Sequence, residues 1–412
     1  MAITPNKGLI EPSRGTISWD IPLNANFTIM DTAFGDGLEI DITGLTTTQT
    51  LTIADYQNFA ISFSGTLSAN LIYQIPSGVG GQWLFANITS GAYTITIQNS
   101  ASGSNAVNLP NNSFVSICSD GSNVYQFSAS ILISPRGVFG GGTSSSVMDY
   151  ITIATAGNAT TFGNLTVART YLAGVSSSTR GVFGGGLAGT VSAVMDYITI
   201  ATTGNATTFG NLTVARNYLA GVSSSTRGVF GGGLASGGNY AIIDYITIAT
   251  IGNAATFGSL SVGRYYLAGV SNSIRGVFGG GSPSAVMDYI TIATTGNATN
   301  FGNLTVSRYY LAGVSNNTRG VFGGGNSSSV MDYITIATTG NATSFGNLSA
   351  AQQDLAGVSN GARGVFGGGQ ISGTNSAIMS YITIDTTGNA ATFGNLTVAR
   401  SGLAGVSGYV PA

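Results

Sequence analysis

The chain has 412 residues and a formal net charge of −2, and only 7% of its residues are charged, against roughly a quarter in an average protein. Histidine is absent, and the single cysteine, Cys118, cannot form a disulfide within the chain. This composition excludes histidine-based catalysis and histidine metal ligands, and it gives no basic surface for nucleic acid. No apolar run approaches the ~20 residues that a membrane helix needs, so we expect no membrane insertion.

Residues 1–36 form the first distinct stretch of the sequence. The segment SWDIPLNANFTIMDTAFG (18–35) contains Trp19, Pro22 and two asparagines, and it has neither the helical nor the strand period of apolar residues. No apolar core of a secretion signal precedes it, so we expect no such signal. The sequence predicts an irregular N-terminal segment.

Residues 37–130 alternate between short apolar segments and turn residues. The strand-like segments are 45–54, 59–65, 70–75, 82–88, 92–99, 114–120 and 123–129. Glycine, serine, asparagine and proline separate them, as expected for turns. This density of short strands is typical of a sandwich or a barrel. We therefore predict a small β-domain of one of these two kinds.

This N-terminal third resembles parts of known virion proteins. The segment 18–35 is similar to the openings of phage tail-fibre and other virion appendage proteins. Residues 73–127 are similar to a β-module of the same proteins, whose final turn is here Ser-Asp-Gly-Ser-Asn at 119–123. The resemblance implies that 1–36 serves attachment to other virion proteins or oligomerisation, with a trimer as the guess by analogy with fibres. It also implies that the C-terminal part faces outward from a virion.

The rest of the chain, 131–412, is organised around the motif RGVFGGG, which occurs six times. The copies begin at Arg136, Arg180, Arg227, Arg275, Arg319 and Arg363. Each copy is followed by a variable loop, a segment like MDYITIATTGNATTFGNLTVAR, and a segment like YLAGVSSST. Each unit thus divides into four strand-like pieces, and a period of about 40–50 residues made of short strands is typical of propellers or solenoids. We predict an all-β chain with a six-bladed β-propeller.

The order of residues in each unit resembles the kelch repeat. A glycine cluster (140–142 in the first unit) precedes Tyr150, an aromatic residue, Phe162, follows a dozen residues later, and then comes Arg169. The kelch family has tryptophan where this chain has phenylalanine, so the version is divergent. The resemblance implies the propeller fold and leaves the function open.

Counting strands predicts how the propeller closes. The first RGVFGGG, at Arg136, has no LAGVS segment before it, and the last LAGVS, at 403–407, has no RGVFGGG after it. We expect 403–407 to pair with the 136–142 segment as the innermost strand of the first blade. This pairing would remove the exposed sheet edges of an open array.

The arginines and aspartates of the repeats predict buried ion pairs. The fifth repeat has Gln352 where the others have a second arginine, and the next Asp-Tyr position has Ser380 in place of aspartate. Both changes fall in one blade, and a buried charge without its partner is costly. The predicted pairs are Arg169–Asp196, Arg216–Asp244, Arg264–Asp288, Arg308–Asp332 and Arg400–Asp149. The alternative is that each arginine caps backbone carbonyls and that the joint loss is chance.

The sequence gives little support to an enzyme. The propeller contains no glutamate, and most of its aspartates recur once per blade, which is more typical of structure than of a carboxylate pair for glycoside cleavage. No helix follows the glycine triplets, so a phosphate-binding loop is not expected. We predict a protein with no catalytic residues, no metal site and no cofactor.

Variation between the repeats predicts a binding face. The loops between the second and third strands differ in every copy, and so do the two residues that follow the second arginine. Constant strands with variable loops rich in tyrosine, serine and asparagine are typical of recognition surfaces. The candidate ligand-binding residues are Tyr171, Tyr218, Tyr240, Tyr265, Tyr266, Tyr309 and Tyr310. The alternative is drift in solvated loops.

Together with the resemblances, these patterns indicate a non-catalytic phage tail fibre or receptor-binding protein, located in the virion, that attaches to host cell-surface polysaccharide. Two other classes remain open. One is a structural virion protein without a ligand, such as a capsid decoration or fibre component. The other is a bacterial adhesin or lectin, against which the missing secretion signal counts.

Overall fold

A computed structural model divides the chain into two compact units, Met1–Ser134 and Pro135–Ala412. The described residues are 2–3, 10–11, 37–90, 93–111, 113–126, 131–132, 136–143, 145–282 and 284–408. The predicted N-terminal segment 1–36 lies outside the described residues, apart from two short strands, Ala2–Ile3 and Ile10–Glu11, that pair antiparallel.

Apart from this pair of strands, the described residues of the first unit form two sheets and one short helix. The first sheet contains Gly37–Asp41, Ala60–Ser64, Gly80–Asn87, Ser113–Asp120, Val124–Gln126 and Ile131–Leu132. The second sheet contains Gln49–Thr50, Leu71–Ile75, Ile95–Asn99 and Ala106–Leu109. The helix, Ile53–Tyr56, is a single turn that begins at the N-cap Thr52.

The strands of this unit follow a coiled path. Strands from 37 to 99 alternate between the two sheets, and each pairs in parallel with the strand one coil earlier. Leu38 pairs with Ile61 and Ile61 with Phe85, 23 and 24 residues further on. Alternate side chains of both sheets, such as Phe63 of the first and Tyr73 of the second, form one hydrophobic core. The strand count, which predicts a sandwich or a barrel, does not show this coiled path, because the count carries no information on which strands pair.

The second unit is a six-bladed β-propeller in which every blade is a four-stranded antiparallel sheet. Blade 1 contains Arg136–Gly140, Val147–Thr152, Thr160–Asn164 and Ala404–Ser407. Blade 2 contains Ala173–Ser176, Arg180–Gly184, Val194–Thr199 and Thr207–Asn211. Blade 3 contains Ala220–Ser223, Arg227–Gly231, Ile242–Thr247 and Ala255–Ser259.

The remaining blades repeat this order. Blade 4 contains Ala268–Ser271, Arg275–Gly279, Val286–Thr291 and Thr299–Asn303. Blade 5 contains Ala312–Ser315, Arg319–Gly323, Ser328–Thr335 and Thr343–Gln352. Blade 6 contains Ala356–Ser359, Arg363–Gly367, Ile378–Thr383 and Ala391–Asn395.

The C-terminal strand closes the propeller as the strand count predicts. Ala404–Ser407 pairs antiparallel with Arg136–Gly140, and Val406 lies opposite Val138. It is therefore the innermost strand of blade 1, the position that the AGVS strand occupies in every other blade. Closure joins the last repeat to the first, so no blade is left without a neighbour.

Both faces of each blade are buried against the adjacent blades, as the apolar repeats require. Val138, Phe139, Met148 and Ile151 of blade 1 are all at most 3% exposed. At the propeller axis the innermost strands meet through glycines. A Cβ atom at Gly174 would clash with the carbonyl oxygen of the matching glycine in blade 1, and the same holds for every neighbouring pair of blades around the ring.

All five predicted ion pairs are present and buried. Arg169 and Asp196 lie 2.6 Å apart with both side chains fully buried, and Arg400 and Asp149 form the pair across the closure at 2.9 Å. The other three pairs are Arg216–Asp244, Arg264–Asp288 and Arg308–Asp332, at 2.7, 2.7 and 2.5 Å. Each guanidinium also donates to backbone carbonyls, such as that of Gly185, so the carbonyl contacts of the alternative are present alongside the pairs.

The place between blades 5 and 6 has a neutral substitute, since Gln352 ends the last strand of blade 5 and Ser380 lies in blade 6, so the two changes fall at one blade interface and not in one blade. Gln352 Nε2 donates to the Gly368 carbonyl at 2.9 Å, and Ser380 forms a hydroxyl–hydroxyl hydrogen bond with Ser349. In the other blades the equivalent of Ser349 is a threonine or serine whose hydroxyl donates to the paired aspartate, as Thr166 does to Asp196 at 2.5 Å. The two charges are therefore lost together because they contact each other wherever they are present.

The arginines that open each RGVFGGG motif connect neighbouring blades. The Arg136 guanidinium lies 4.3 Å from the ring centroid of Tyr150 in its own blade, and it donates to the Ala201 carbonyl of blade 2 at 2.8 Å. Arg363 of blade 6 makes the same contact with the Ala154 carbonyl of blade 1 at 2.8 Å. These contacts repeat around the ring and hold the blades in a fixed order.

Candidate functional site

Two kinds of connection emerge on one side of the propeller, which we call the upper face. One is the loop between the second and third strands of a blade, such as 185–193, and the other leads from one blade to the next, such as 165–172. Thr170 and Leu187 join these two connections by backbone hydrogen bonds of 3.1 and 2.8 Å. The variable loops and the tyrosine-bearing connections therefore lie side by side.

The variable loops differ in structure between blades. In blades 2, 3 and 6 they contain short hairpins, whose paired strands are Leu187–Ala188 with Thr190–Val191, Leu234–Ala235 with Gly238–Asn239, and Gln370–Ile371 with Thr374–Asn375. In blades 1, 4 and 5 the loops are shorter and no hairpin is found among their described residues. The upper face therefore has an uneven edge built on a regular ring.

Six residues surround the propeller axis on this face, one from each connection, and we call them the axial ring. They are Tyr171, Tyr218, Tyr266, Tyr310, Asp354 and Gly402. All six have positive φ, from 58 to 67°. The backbone N–H of each donates to the carbonyl oxygen of its predecessor, over 2.6 to 3.0 Å, and Tyr171 completes the circle by donating to Gly402.

The axial ring carries backbone strain at five of its six positions. Glycine adopts this left-handed conformation without a steric penalty, whereas other residues lose roughly 1–2 kcal/mol each. Gly402 shows that the backbone of the ring accommodates glycine. Tyrosine and aspartate therefore occupy the other five positions for what their side chains contribute.

Six of the seven candidate tyrosines form one aromatic cluster. The ring centroids of Tyr171 and Tyr218 are 4.1 Å apart, those of Tyr218 and Tyr266 4.0 Å, and those of Tyr266 and Tyr310 3.8 Å. Tyr265 and Tyr309 extend the cluster outward, with centroids 4.3 and 5.0 Å from Tyr266 and Tyr310. All six are half-buried.

Tyr240 lies apart from this cluster. It sits in the variable loop of blade 3, where its N–H donates to the Gly233 carbonyl at 2.9 Å. Within the described part of the chain its ring makes no contact with the other six tyrosines. It belongs to the same face and not to the same site.

Asp354 is the one acidic member of the axial ring. It is 8% exposed, and no group in the described residues donates a hydrogen bond to its carboxylate. Burial raises the pKa of this carboxyl to about 7. Burial also raises the pKa values of Tyr171 and Tyr310, and the nearby Asp354 adds to both shifts. These tyrosines are therefore neutral hydroxyls within electrostatic reach of the carboxylate.

Gly402 determines the position of Tyr171. A Cβ atom at Gly402 would lie 2.7 Å from Cδ1 of Tyr171, so the tyrosine ring occupies the space of a missing side chain. Tyr171 can therefore lean across Gly402 towards Asp354. The ring is thus aromatic on the side of blades 2 to 5 and carries a carboxylate on the side of blade 6.

A small cavity of about 60 Å³ lies on the axis at this ring. The six ring residues line it together with the buried leucines that follow each of them in sequence. These leucines are Leu172, Leu219, Leu267, Leu311, Leu355 and Leu403. The cavity thus has apolar and aromatic walls, and Asp354 is the acidic residue that lines it.

Asp354 and Gly402 are the two site residues that the sequence-based selection of tyrosines misses. Both stand at the same alignment position as the tyrosines, so the repeat alignment contains the signal. A choice of tyrosines alone loses this signal, because Asp354 and Gly402 are the two positions without an aromatic side chain, and these two positions make the ring asymmetric.

Two other kinds of feature are absent from the described parts of the chain. No group of three or more metal-ligating side chains occurs there, and no helix in those parts has the length and apolar character to cross a bilayer. No model of a known protein family matches the sequence, and neither does any curated protein.

Proposed function

We propose that this protein is a non-catalytic virion appendage that attaches to glycan on a host surface through the upper face of its propeller. The observation that carries the proposal is the aromatic cluster, in which Tyr265 and Tyr309 extend outward from the axial ring. Tyrosine rings stack on the apolar faces of sugars, and neighbouring amides and hydroxyls bind sugar hydroxyls.

The loops beside these tyrosines supply such polar groups. Asn326 Oδ1 accepts from the Tyr309 N–H at 3.1 Å, and the Ser282 N–H donates to the Tyr265 carbonyl at 2.9 Å. The side chains of the loops are thus held next to the aromatic rings by the backbone. A half-buried aromatic surface with a polar margin suits a sugar chain.

The propeller aspartates favour recognition over catalysis. Five of them are fully buried, and each lies in an ion pair with an arginine. A carboxylate held in this way is not free to transfer protons to a substrate. The remaining described ones, Asp354 and Asp385, lie on different connections of blade 6, on the upper and the opposite face.

Attachment to a virion, and assembly as a trimer, follow from the resemblance of 18–35 and 73–127 to tail-fibre proteins. The N-terminal region would contact other virion proteins, and the propeller would contact the host. Sedimentation equilibrium of the full-length chain measures the assembly state directly, and a monomer would contradict this part of the proposal.

A glycan array probed with the full-length chain tests the binding function. We expect selective binding that falls by about tenfold or more on Tyr265→Ala or Tyr309→Ala, since each change removes a stacking ring. Tyr93→Ala is the matched control, because Tyr93 is an exposed tyrosine of the first unit. If neither the wild type nor the control binds any host polysaccharide, the result would instead favour a structural virion protein.

A further inference from the structure

The axial cavity contains an unusual combination of groups. Asp354 is a buried carboxylate to which no described residue donates a hydrogen bond. Four tyrosine side chains and six leucines form the remaining walls, together with Gly402. No arginine or lysine lines the cavity, so its one formal charge has no oppositely charged partner among the described residues.

An aromatic wall and a carboxylate together favour a cationic ligand. The faces of tyrosine rings attract cations, and this attraction increases when the site excludes water. The carboxylate balances the charge and accepts hydrogen bonds from N–H donors. Rings from three neighbouring blades, those of Tyr218, Tyr266 and Tyr310, lie within 4.0 Å of one another in successive pairs, so the aromatic wall is continuous.

A metal ion fits the cavity less well than an organic cation. Calcium and magnesium need six or more oxygen ligands. The backbone carbonyls of the axial ring already accept hydrogen bonds from the next ring residue. Asp354 alone cannot complete the coordination of a metal ion, whereas an ammonium group needs only one anion, a few acceptors and aromatic faces.

We propose that the axial cavity binds a primary ammonium group, with Asp354 as its counter-ion and the tyrosines of the axial ring as its aromatic wall. The cavity of about 60 Å³ corresponds to about two water molecules at their liquid volume of about 30 Å³ each, which matches the two heavy atoms of a methylammonium ion. The hydroxyls of Tyr171 and Tyr310, which lie within electrostatic reach of the carboxylate, are candidate acceptors for the remaining N–H groups.

A natural carrier of such a group is a sugar with a free amino group. This identification rests on the proposed function, because it places the sugar on the aromatic cluster of the upper face. The ammonium site itself does not rest on it. An N-acetylated sugar carries no charge at this position and would lose the contact with Asp354.

Calorimetric titration of the full-length protein with methylammonium chloride at pH 8 tests the site, with potassium chloride as the ionic control. We expect saturable binding of methylammonium and weaker or no binding of potassium. Asp354→Asn should weaken methylammonium binding by about tenfold or more, the equivalent of removing one buried charge contact. Asp385→Asn is the matched control, because it removes the same charge from an exposed loop on the opposite face and should change nothing.

The pH dependence provides a second readout. Asp354 has a raised pKa of about 7, so methylammonium binding should fall at pH 5.5, where the carboxyl is protonated. The neighbouring titratable groups are the ring tyrosines, and burial raises the pKa values of Tyr171, Tyr218 and Tyr310, so these three stay neutral in this range. Equal binding by wild type and Asp354→Asn, or equal binding of potassium and methylammonium, would overturn the proposal.

A pair of oligosaccharides separates this inference from the proposed function. A glucosamine oligosaccharide should bind at least about tenfold more tightly than its N-acetylated counterpart, and Asp354→Asn should remove this difference in affinity. Preference for the N-acetylated form would overturn the assignment to amino sugars and leave glycan binding intact. Failure of both sugars, with methylammonium still bound through Asp354, would contradict the proposed function and support the ammonium site.

Discussion

Gln352 and Ser380 occupy, between blades 5 and 6, the positions at which a buried arginine and a buried aspartate meet at the other five blade interfaces. The chain therefore fills equivalent buried positions with an ion pair at five blade interfaces and with neutral side chains at the sixth. The charged and the neutral side chains occupy the same space between neighbouring blades. This internal comparison makes the contribution of the ion pairs measurable within one protein.

Breaking one ion pair should destabilise the propeller strongly. Asp196→Asn leaves Arg169 buried without its anion, and we expect a loss of about 3–5 kcal/mol in the free energy of unfolding. The propeller contains no tryptophan, so differential scanning calorimetry of the full chain is the suitable measurement. A loss of unfolding free energy below about 1 kcal/mol is typical of exposed ion pairs. Such a result would show that the Arg169–Asp196 pair does not stabilise the fold as a buried pair should.

The neutral residues found between blades 5 and 6 should also be accepted between blades 1 and 2. The double variant Arg169→Gln, Asp196→Ser reproduces Gln352 and Ser380, and we expect it to recover most of the stability that Asp196→Asn loses. Replacing a buried ion pair as a unit is often neutral, whereas removing one partner is not. Calorimetry of the single variants Arg169→Gln and Asp196→Ser and of the double variant gives the coupling energy between the two positions. If the two losses of stability simply add, the neutral residues do not replace the ion pair as a unit.

The stability of the propeller should depend on Asp354 between pH 4 and 7. Its folded pKa of about 7 lies above the ordinary value of 3.8, so the folded state keeps a proton that the unfolded state releases. The stabilisation of the folded state by this proton is fully present below pH 4 and is lost as the pH rises through 7. Asp354→Asn should therefore be more stable than wild type at pH 8, on the order of a few kcal/mol. Thermal unfolding across this pH range, with Asp385→Asn as control, measures the effect.

Crowding at the axis should make Gly174 intolerant of a side chain. A Cβ atom there would clash with the Gly405 carbonyl, whereas one at Gly157 would meet nothing within 4 Å. We expect Gly174→Ala to cost about 1–3 kcal/mol or more, as overpacking does, and Gly157→Ala to be close to neutral. Equal melting temperatures for the two variants would contradict the close approach of the innermost strands.

Removal of the closing strand should disrupt cooperative unfolding of the propeller. A chain that ends at Gly402 lacks the strand Ala404–Ser407, which pairs with Arg136–Gly140. The exposed edge of blade 1 would then be available to pair with other molecules. We expect a broadened calorimetric transition and concentration-dependent association, both measurable against the full-length chain. A sharp transition at the wild-type temperature would show that closure does not stabilise the ring.

The sequence predicts the propeller well because its repeats are long and nearly identical. The six RGVFGGG copies and the unmatched segments at the two ends specify the number of blades and the closure. The joint change at Gln352 and Ser380 specifies the ion pairs, since a contact can be read from two positions that vary together. In each case the signal is a comparison between copies within one chain.

Other features give no such internal comparison. The coils of the first unit are 23 or 24 residues long, but they share apolar alternation and not residue identity, so the parallel pairing is not visible in the sequence. Positive φ is expected of glycine, and only Gly402 of the axial ring is one. The ring conformation of Tyr171 and Asp354 therefore follows from closure of the propeller and not from their own preferences.

The glycines at the axis also limit how this protein can evolve by copying its own sectors. Interior sectors meet their neighbours through equivalent contacts, so a duplicated sector would find suitable partners on either side. The carbonyl oxygens and glycines of the innermost strands, however, already touch around the full circle. A seventh sector would have to move these strands apart and open a channel, whereas the loss of one would force them into overlap. The count of six is thus fixed at the centre of the wheel, while the periphery remains free to diversify.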